Sequence, residues 1–165
     1  SPELQTEDLT ERLAIADQYI ANLGAKISYT NEGRAFYMPS TDSITMPHRE
    51  LFTATKTSDA TQNFYGVLFH EHAHWTGHKS RKDRLDSKNK RGYAYEELVA
   101  ELSAAYLSVQ LGISSSPRED HAQYLSSWLG ALNNDKDYIF KAASEAQAAL
   151  DYMDSLQTKT NQKAA

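Results

Sequence analysis

Four of the chain's six histidines fall within FHEHAHWTGH, residues 69–78, with one glutamate among them. The run His70-Glu71-His72-Ala73-His74 fits the pattern H-E-x-x-H. On a helix, positions 70 and 74 lie one turn apart on one face, so both imidazoles can aim at a single ion. Zn²⁺ takes imidazole nitrogen at short range and prefers four ligands, and one such ion is expected here. Glu71 lies about 100° round the helix from His70. There it is placed to hold a water at the ion and take its proton. His72 is turned about 200° from His70 and reads as a packing or hydrogen-bonding residue. His78 follows Gly77, where the helix should break, and is the candidate for contact with substrate.

Two imidazoles leave a third protein ligand to be found and a last position open. The longer pattern H-E-x-x-H-x-x-G-x-x-H fails: Gly77 fits, but Ser80 occupies the final histidine position. A later segment, YEELVAEL at 95–102, offers Glu96, Glu97 and Glu101. Glu97 and Glu101 share a helical face beside an apolar stripe expected from Leu98, Leu102, Ala105 and Val109. Carboxylates in that position are costly unless a metal or a hydrogen-bond partner compensates them. Glu97 is the first choice as metal ligand. Glu101 then accepts the other ring N–H of a ligand histidine and fixes its tautomer. The swapped assignment, with Glu101 as ligand, is the alternative. Tyr93 and Tyr95, just before these glutamates, are the candidate oxyanion donors.

The chain contains no cysteine, which excludes disulfides, thiolate metal sites and cysteine nucleophiles. Any metal must therefore rest on His, Asp, Glu and water. At 165 residues, 40% hydrophobic and 24% charged, the composition is that of one soluble globular domain. No apolar run reaches the length of a membrane span and no signal peptide opens the chain, so a cytoplasmic setting without a membrane partner is expected. A net charge of −5 argues against nucleic-acid binding by the whole surface. Residues 79–91, KSRKDRLDSKNKR, run the other way, with seven Lys/Arg against two Asp. They read as a solvated loop, or as a basic rim for an acidic partner or a phosphate backbone.

The elements that must position these residues follow from periodicity and punctuation. Leu9, Leu13, Ala16, Ile20 and Leu23 mark one helical face, opened near Thr6 and closed by Gly24. AKISYT (25–30), the turn NEGR and AFYM (35–38) suggest a β-hairpin, and SITM (43–46) a third strand at an edge. The histidine helix should start at Ser58 or Asp59 and end near Gly77. The glutamate helix spans 93–112, Ser116-Pro117 opens a fourth helix to about 131, and a fifth covers about 135–156. The fold class expected is α+β, mainly helical, with a small N-terminal antiparallel sheet. One domain should fill 1–157, followed by a disordered tail at 158–165.

HEHAHWTGHKSRKDRL followed by YAYEELVAELSAAYL resembles the zincin-like metallopeptidase domain of plasmid- and phage-borne antirestriction proteins of the ArdC type, over roughly residues 1–155. The segment 97–101, E-x-x-A-E, is also similar to the E-x-x-A-N of ImmA/IrrE-type peptidases. Their first glutamate is the metal ligand, which favours Glu97 over Glu101. The resemblance implies a helical zincin whose small sheet lines a cleft with its edge strand. It also implies that a separate single-stranded-DNA-binding domain commonly precedes such a domain; none fits within this chain, which is expected to be the peptidase portion of something longer. The function expected is that of a zinc-dependent, gluzincin-like hydrolase of peptide bonds in antirestriction or mobile-element defence. Its substrate backbone would add as a strand along 43–46. The alternative is a non-proteolytic antirestriction module that binds single-stranded DNA or a host nuclease, through a separate domain or through Lys79, Arg81, Lys82 and Arg84 of the basic loop.

Overall fold

Capping chemistry sets the start of the histidine helix, α2 (Ala60–Thr76). Asp59 accepts the Gln62 N–H at 2.7 Å, and the Gln62 side chain accepts the Asp59 N–H at 2.9 Å. This reciprocal pair satisfies two donors that the first helical turn would otherwise leave open. The computed structural model describes residues 2–85, 91–113 and 122–164. Helix α1 (Pro2–Leu23) stops at Gly24, with φ 72°, and α3 (Tyr93–Leu111) stops at Gly112, with φ 68°. Both glycines hold a left-handed conformation that strains any residue with a Cβ. Helices α4 (Ala122–Asn134) and α5 (Tyr138–Ala164) complete the set. Ser116-Pro117 lies outside the described residues. The backbone of α5 stays helical through 158–164, the segment assigned above to a tail.

The sheet differs from the expected antiparallel hairpin. Strands β1 (Lys26–Thr30), β2 (Phe36–Met38) and β3 (Ser43–Pro47) stand in the order β1-β3-β2. β3 runs parallel to β1, with Ile44 opposite Ile27, and antiparallel to β2, with Ile44 opposite Tyr37. The sheet is therefore mixed, and 43–46 is its centre rather than an edge. The reason lies in side-chain chemistry: β3 carries Ile44 and Met46, both fully buried, whereas β1 and β2 are partly exposed along their length. The most apolar strand takes the position that removes most surface from water. Pro47, which has no N–H to give a ladder, falls at its end. Among the described residues β1 and β2 are the edges of the sheet, and β2 is the edge strand that packs against α2.

α2 forms the middle of the larger core. Its Phe64, Tyr65, Leu68 and Phe69 pack with Ala16, Ile20 and Leu23 of α1, with Ile44 and Met46, and with Leu150 and Met153 of α5. A second cluster joins Tyr95, Leu98 and Val99 of α3 to Ala142 and Ala146 of α5, with Trp128 and Tyr138 against it. The stripe expected on α3 is displaced. Val109 is 83% exposed and Ala105 is exposed, while Val99, Ala100, Ser103, Ala104 and Leu107 are buried. α3 is gripped from two sides, by α2 and by α5. Small residues fill the close approaches, and a count of large apolar side chains does not find them. Glu96 and Glu97 thus lie within the buried face itself, not beside it. Among the described residues no helix is long and apolar enough to cross a membrane.

Candidate metal centre

One turn of α2 presents His70 and His74, and the facing first turns of α3 present Glu96, Glu97 and Glu101. All but Glu101 are buried. Three donor side chains converge. His70 Nε2 and His74 Nε2 lie 3.1 Å apart. Glu97 reaches both, with Oε1 at 2.9 Å from His74 Nε2 and Oε2 at 3.2 Å from His70 Nε2. A tetrahedral ion with bonds of about 2.0–2.1 Å would hold its donors about 3.3 Å apart. The N–N distance and the nearest N–O distance from each imidazole to the carboxylate are close to that spacing, and the make-up of two imidazoles and one carboxylate suits a divalent metal.

The charges are arranged to keep Glu97 ionised. Burial would raise its carboxyl, but hydrogen bonds from His70 and His74 hold it well below the usual carboxylate range. Burial likewise disfavours a charged His74, yet the Glu96 and Glu97 carboxylates overcome this and lift it to about 10. His70 is raised in the same way, with burial opposed by Glu101 and Glu97. A ligand carboxylate must be ionised and a ligand imidazole neutral, so a cation binding here would displace the protons that the carboxylates hold on His70 and His74.

Behind the donor triangle each imidazole has a carboxylate on its other nitrogen. His70 Nδ1 donates to Glu101 Oε2 at 3.0 Å, and His74 Nδ1 donates to Glu96 Oε1 at 3.2 Å. Glu96 had no assigned role from sequence. The signal was present: two ligand histidines need two orienting partners, and Glu101 serves only one. Arg84 was also missed. Its Nε and Nη2 donate to the two Glu96 oxygens at 3.1 and 3.0 Å, so Glu96 stays ionised although buried.

A cleft of about 360 Å³ opens over this centre. Phe36, Tyr37 and Pro39 line it from the sheet side of the chain, Glu71 and His74 from α2, and Tyr93, Glu96 and Glu97 from α3, with Arg84 between. Tyr93 is 68% exposed. Tyr95 does not fit the oxyanion expectation: it is buried against Tyr138, accepts from Arg91 at 2.7 Å, and burial and its bond to Glu145 push its hydroxyl up to about 12. Helical spacing turns it toward α5, away from the cleft. His78 bonds Ser80 at 2.7 Å and does not line the cleft. His72 is fully buried, donates to the Leu68 carbonyl at 2.7 Å, and is held down to about 4 by burial, which keeps it neutral. His121 lies outside the described residues.

The basic loop is less of a rim than its composition suggests. Arg81 stacks over the Trp75 ring at 3.9 Å and pairs with Asp42, and Arg84 is buried. Residues 86–90 lie outside the described residues. Gly77 makes the return of this segment feasible. A Cβ there would meet Leu85 Cγ at 2.9 Å and Arg84 Nη2 at 3.1 Å. Gly77→Ala should therefore cost about 1–3 kcal/mol through overpacking. Thermal denaturation would register this as a fall in Tm, against a near-neutral Gly33→Ala control, where a Cβ meets nothing within 4 Å.

Residues 14–145 match the family model described as zincin-like metallopeptidase. The chain is 39% identical over 161 residues to the DNA primase TraC of Escherichia coli, covering 96% of this chain and 14% of that protein. It is 39% identical over 160 residues to the uncharacterized protein y4eC of Sinorhizobium fredii, covering 95% of this chain and 50% of that protein. Two crystal structures of the antirestriction ArdC protein from the R388 plasmid are similar in fold. The Mn(II)-bound one aligns with TM-score 0.67 and 39% identity over 87% of this chain and 52% of that chain. The metal-free one gives 0.74 and 40%, over 87% and 50%. The chain thus spans about half the length of y4eC and ArdC and a smaller part of TraC.

Proposed function

The chain belongs to the zincin-like metallopeptidase family, and from that premise we propose that it is a metal-dependent peptidase using one Zn²⁺ ion. His70, His74 and Glu97 are the ligands in this reading. When bound, the ion supplies Lewis acidity, which acidifies a water and polarises a carbonyl. Glu71, which lines the cleft, takes the proton from the attacking water and returns it to the leaving amine. Glu101 orients His70 through its Nδ1–H. Tyr93, which also lines the cleft, donates to the oxyanion. The substrate backbone adds along β2, whose residues Phe36 and Tyr37 line the cleft, rather than along 43–46 as the sequence suggested.

The observation that carries the reading is the convergence of two imidazole nitrogens and one carboxylate, one ligand atom from each lying within 4.8 Å of the others, at a cleft lined by Glu71. The antirestriction name and Mn(II) content of the similar R388 protein support a role for this chain in mobile-element defence in the cytoplasm. The test is metal analysis of the purified chain together with cleavage of a peptide library before and after chelation. Expected is about one divalent ion per chain and cleavage that chelation stops and Zn²⁺ restores. A chain that holds no metal, or that cleaves equally well in chelator, overturns the reading.

A second reading, a non-proteolytic module that binds single-stranded DNA or a host nuclease, draws on the DNA primase and antirestriction names of the relatives. Arg81 and Arg84 are turned to internal partners, which leaves Lys79 and Lys82 of the four cations it relied on. Metal-independent DNA binding without any cleavage would favour it.

A further inference from the structure

We propose that Arg84 is a positioning residue of the metal centre, acting on His74 through Glu96. The inference rests on reading His70, His74 and Glu97 as ligands of a divalent ion. Arg84 enters from the segment that turns back after α2: its N–H donates to the Gly77 carbonyl at 2.9 Å, and Leu85 N–H to the same oxygen at 3.1 Å. Its side chain is 5% exposed, so the guanidinium is enclosed in the interface between α2 and α3. On the α2 side it donates to the Ala73 carbonyl at 2.8 Å and to Thr76 Oγ1 at 3.0 Å, within the turn that carries His74. On the α3 side it grips both oxygens of Glu96.

The planar fork thus brackets the two helices at the height of one ligand. A carboxylate held by two parallel N–H bonds cannot rotate, so Glu96 Oε1 stays on His74 Nδ1 and the ring's Nε2 stays aimed at the donor triangle. Lysine offers a point charge without the fork and cannot fix the carboxylate plane. The two imidazole arms also differ: the His70 partner, Glu101, has a side chain 24% exposed, against 8% for Glu96. Glu96 is the less exposed of the two orienting carboxylates, so the charged fork acts on it with less screening.

The test is the affinity of the purified chain for Mn²⁺ and for Zn²⁺, measured by competition with a chelator, in Arg84→Lys, Glu96→Gln and the double variant. Melting curves are recorded alongside. Each single change is expected to weaken metal binding by about 10–100-fold. The double variant should bind no more weakly than Glu96→Gln alone, because the proposed effect of Arg84 on His74 runs through Glu96, its bonds to Ala73 and Thr76 serving to anchor the guanidinium. A merely structural arginine would lower Tm and leave affinity unchanged in the folded variant, or give losses that multiply in the double; either result overturns the proposal. Should Arg84→Lys fail to fold, Arg84→Gln is measured in its place: a loss of affinity in the folded variant upholds the proposal, and wild-type affinity overturns it. A wild type that binds metal while the variants bind equally well removes only the role of Arg84; a wild type that binds none removes the metal-centre reading with it.

Discussion

Glu97→Ala is expected to abolish tight metal binding, with affinity falling by more than about 1000-fold, well beyond the roughly 10–100-fold that loss of an outer hydrogen-bond partner costs. The carboxylate is the single group that bridges both imidazoles, at 2.9 and 3.2 Å. Without it two nitrogens 3.1 Å apart remain, half of a four-ligand shell. Glu101→Ala supplies the contrast. Glu101 bonds the rear nitrogen of His70, so its loss should cost about 10–100-fold. Metal titration of the two variants side by side checks the assignment. If Glu101→Ala were the more damaging, the ligand and orienting roles would be exchanged.

Glu71→Gln should behave in the opposite way, keeping its metal and losing turnover by about 100–10,000-fold, the range expected for removal of a general base. Glutamine preserves size and can still hold a water by hydrogen bonding, but it cannot accept a proton at working pH. Glu71 lines the cleft with His74 and Glu97 without belonging to the donor triangle. Metal content therefore stays at the wild-type level while the rate of peptide cleavage falls. Equal rates in the two proteins would remove Glu71 from the chemistry.

The site was more legible in the sequence than the scaffold around it. His70 and His74 come together because a helical repeat of four residues places them so, and that regularity is local. Glu97 and Glu101 stand out together, as carboxylates beside an apolar stripe that need a compensating partner, and the resemblance of 97–101 to E-x-x-A-N favours Glu97. The helix limits at Asp59 and Gly77 were readable for the same reason: capping involves only residues three or four apart. The sheet order was not. Which of three short strands takes the centre depends on packing against α2, and a turn such as NEGR marks a reversal without saying which strand pairs across it. The inward fate of Arg81 and Arg84 was hidden as well. Charge runs report composition, whereas the stacking of Arg81 on Trp75 and the grip of Arg84 on Glu96 are long-range contacts. The exposed Val109 has the same origin, since α3 turns its small residues inward.

The alanines of α5 carry a consequence for how far the histidine motif alone can be trusted. Ala142 and Ala146 are fully buried against Tyr95, Leu98 and Val99, on the back of the helix that delivers the carboxylates. A methyl group there lets the two helices lie close, so the reach from α3 to the imidazoles is gauged by side chains bearing no polar atom. A cousin with leucine at 142 or 146 could retain every ligand letter for letter and still hold its carboxylate out of range, an intact signature over a centre that grips nothing.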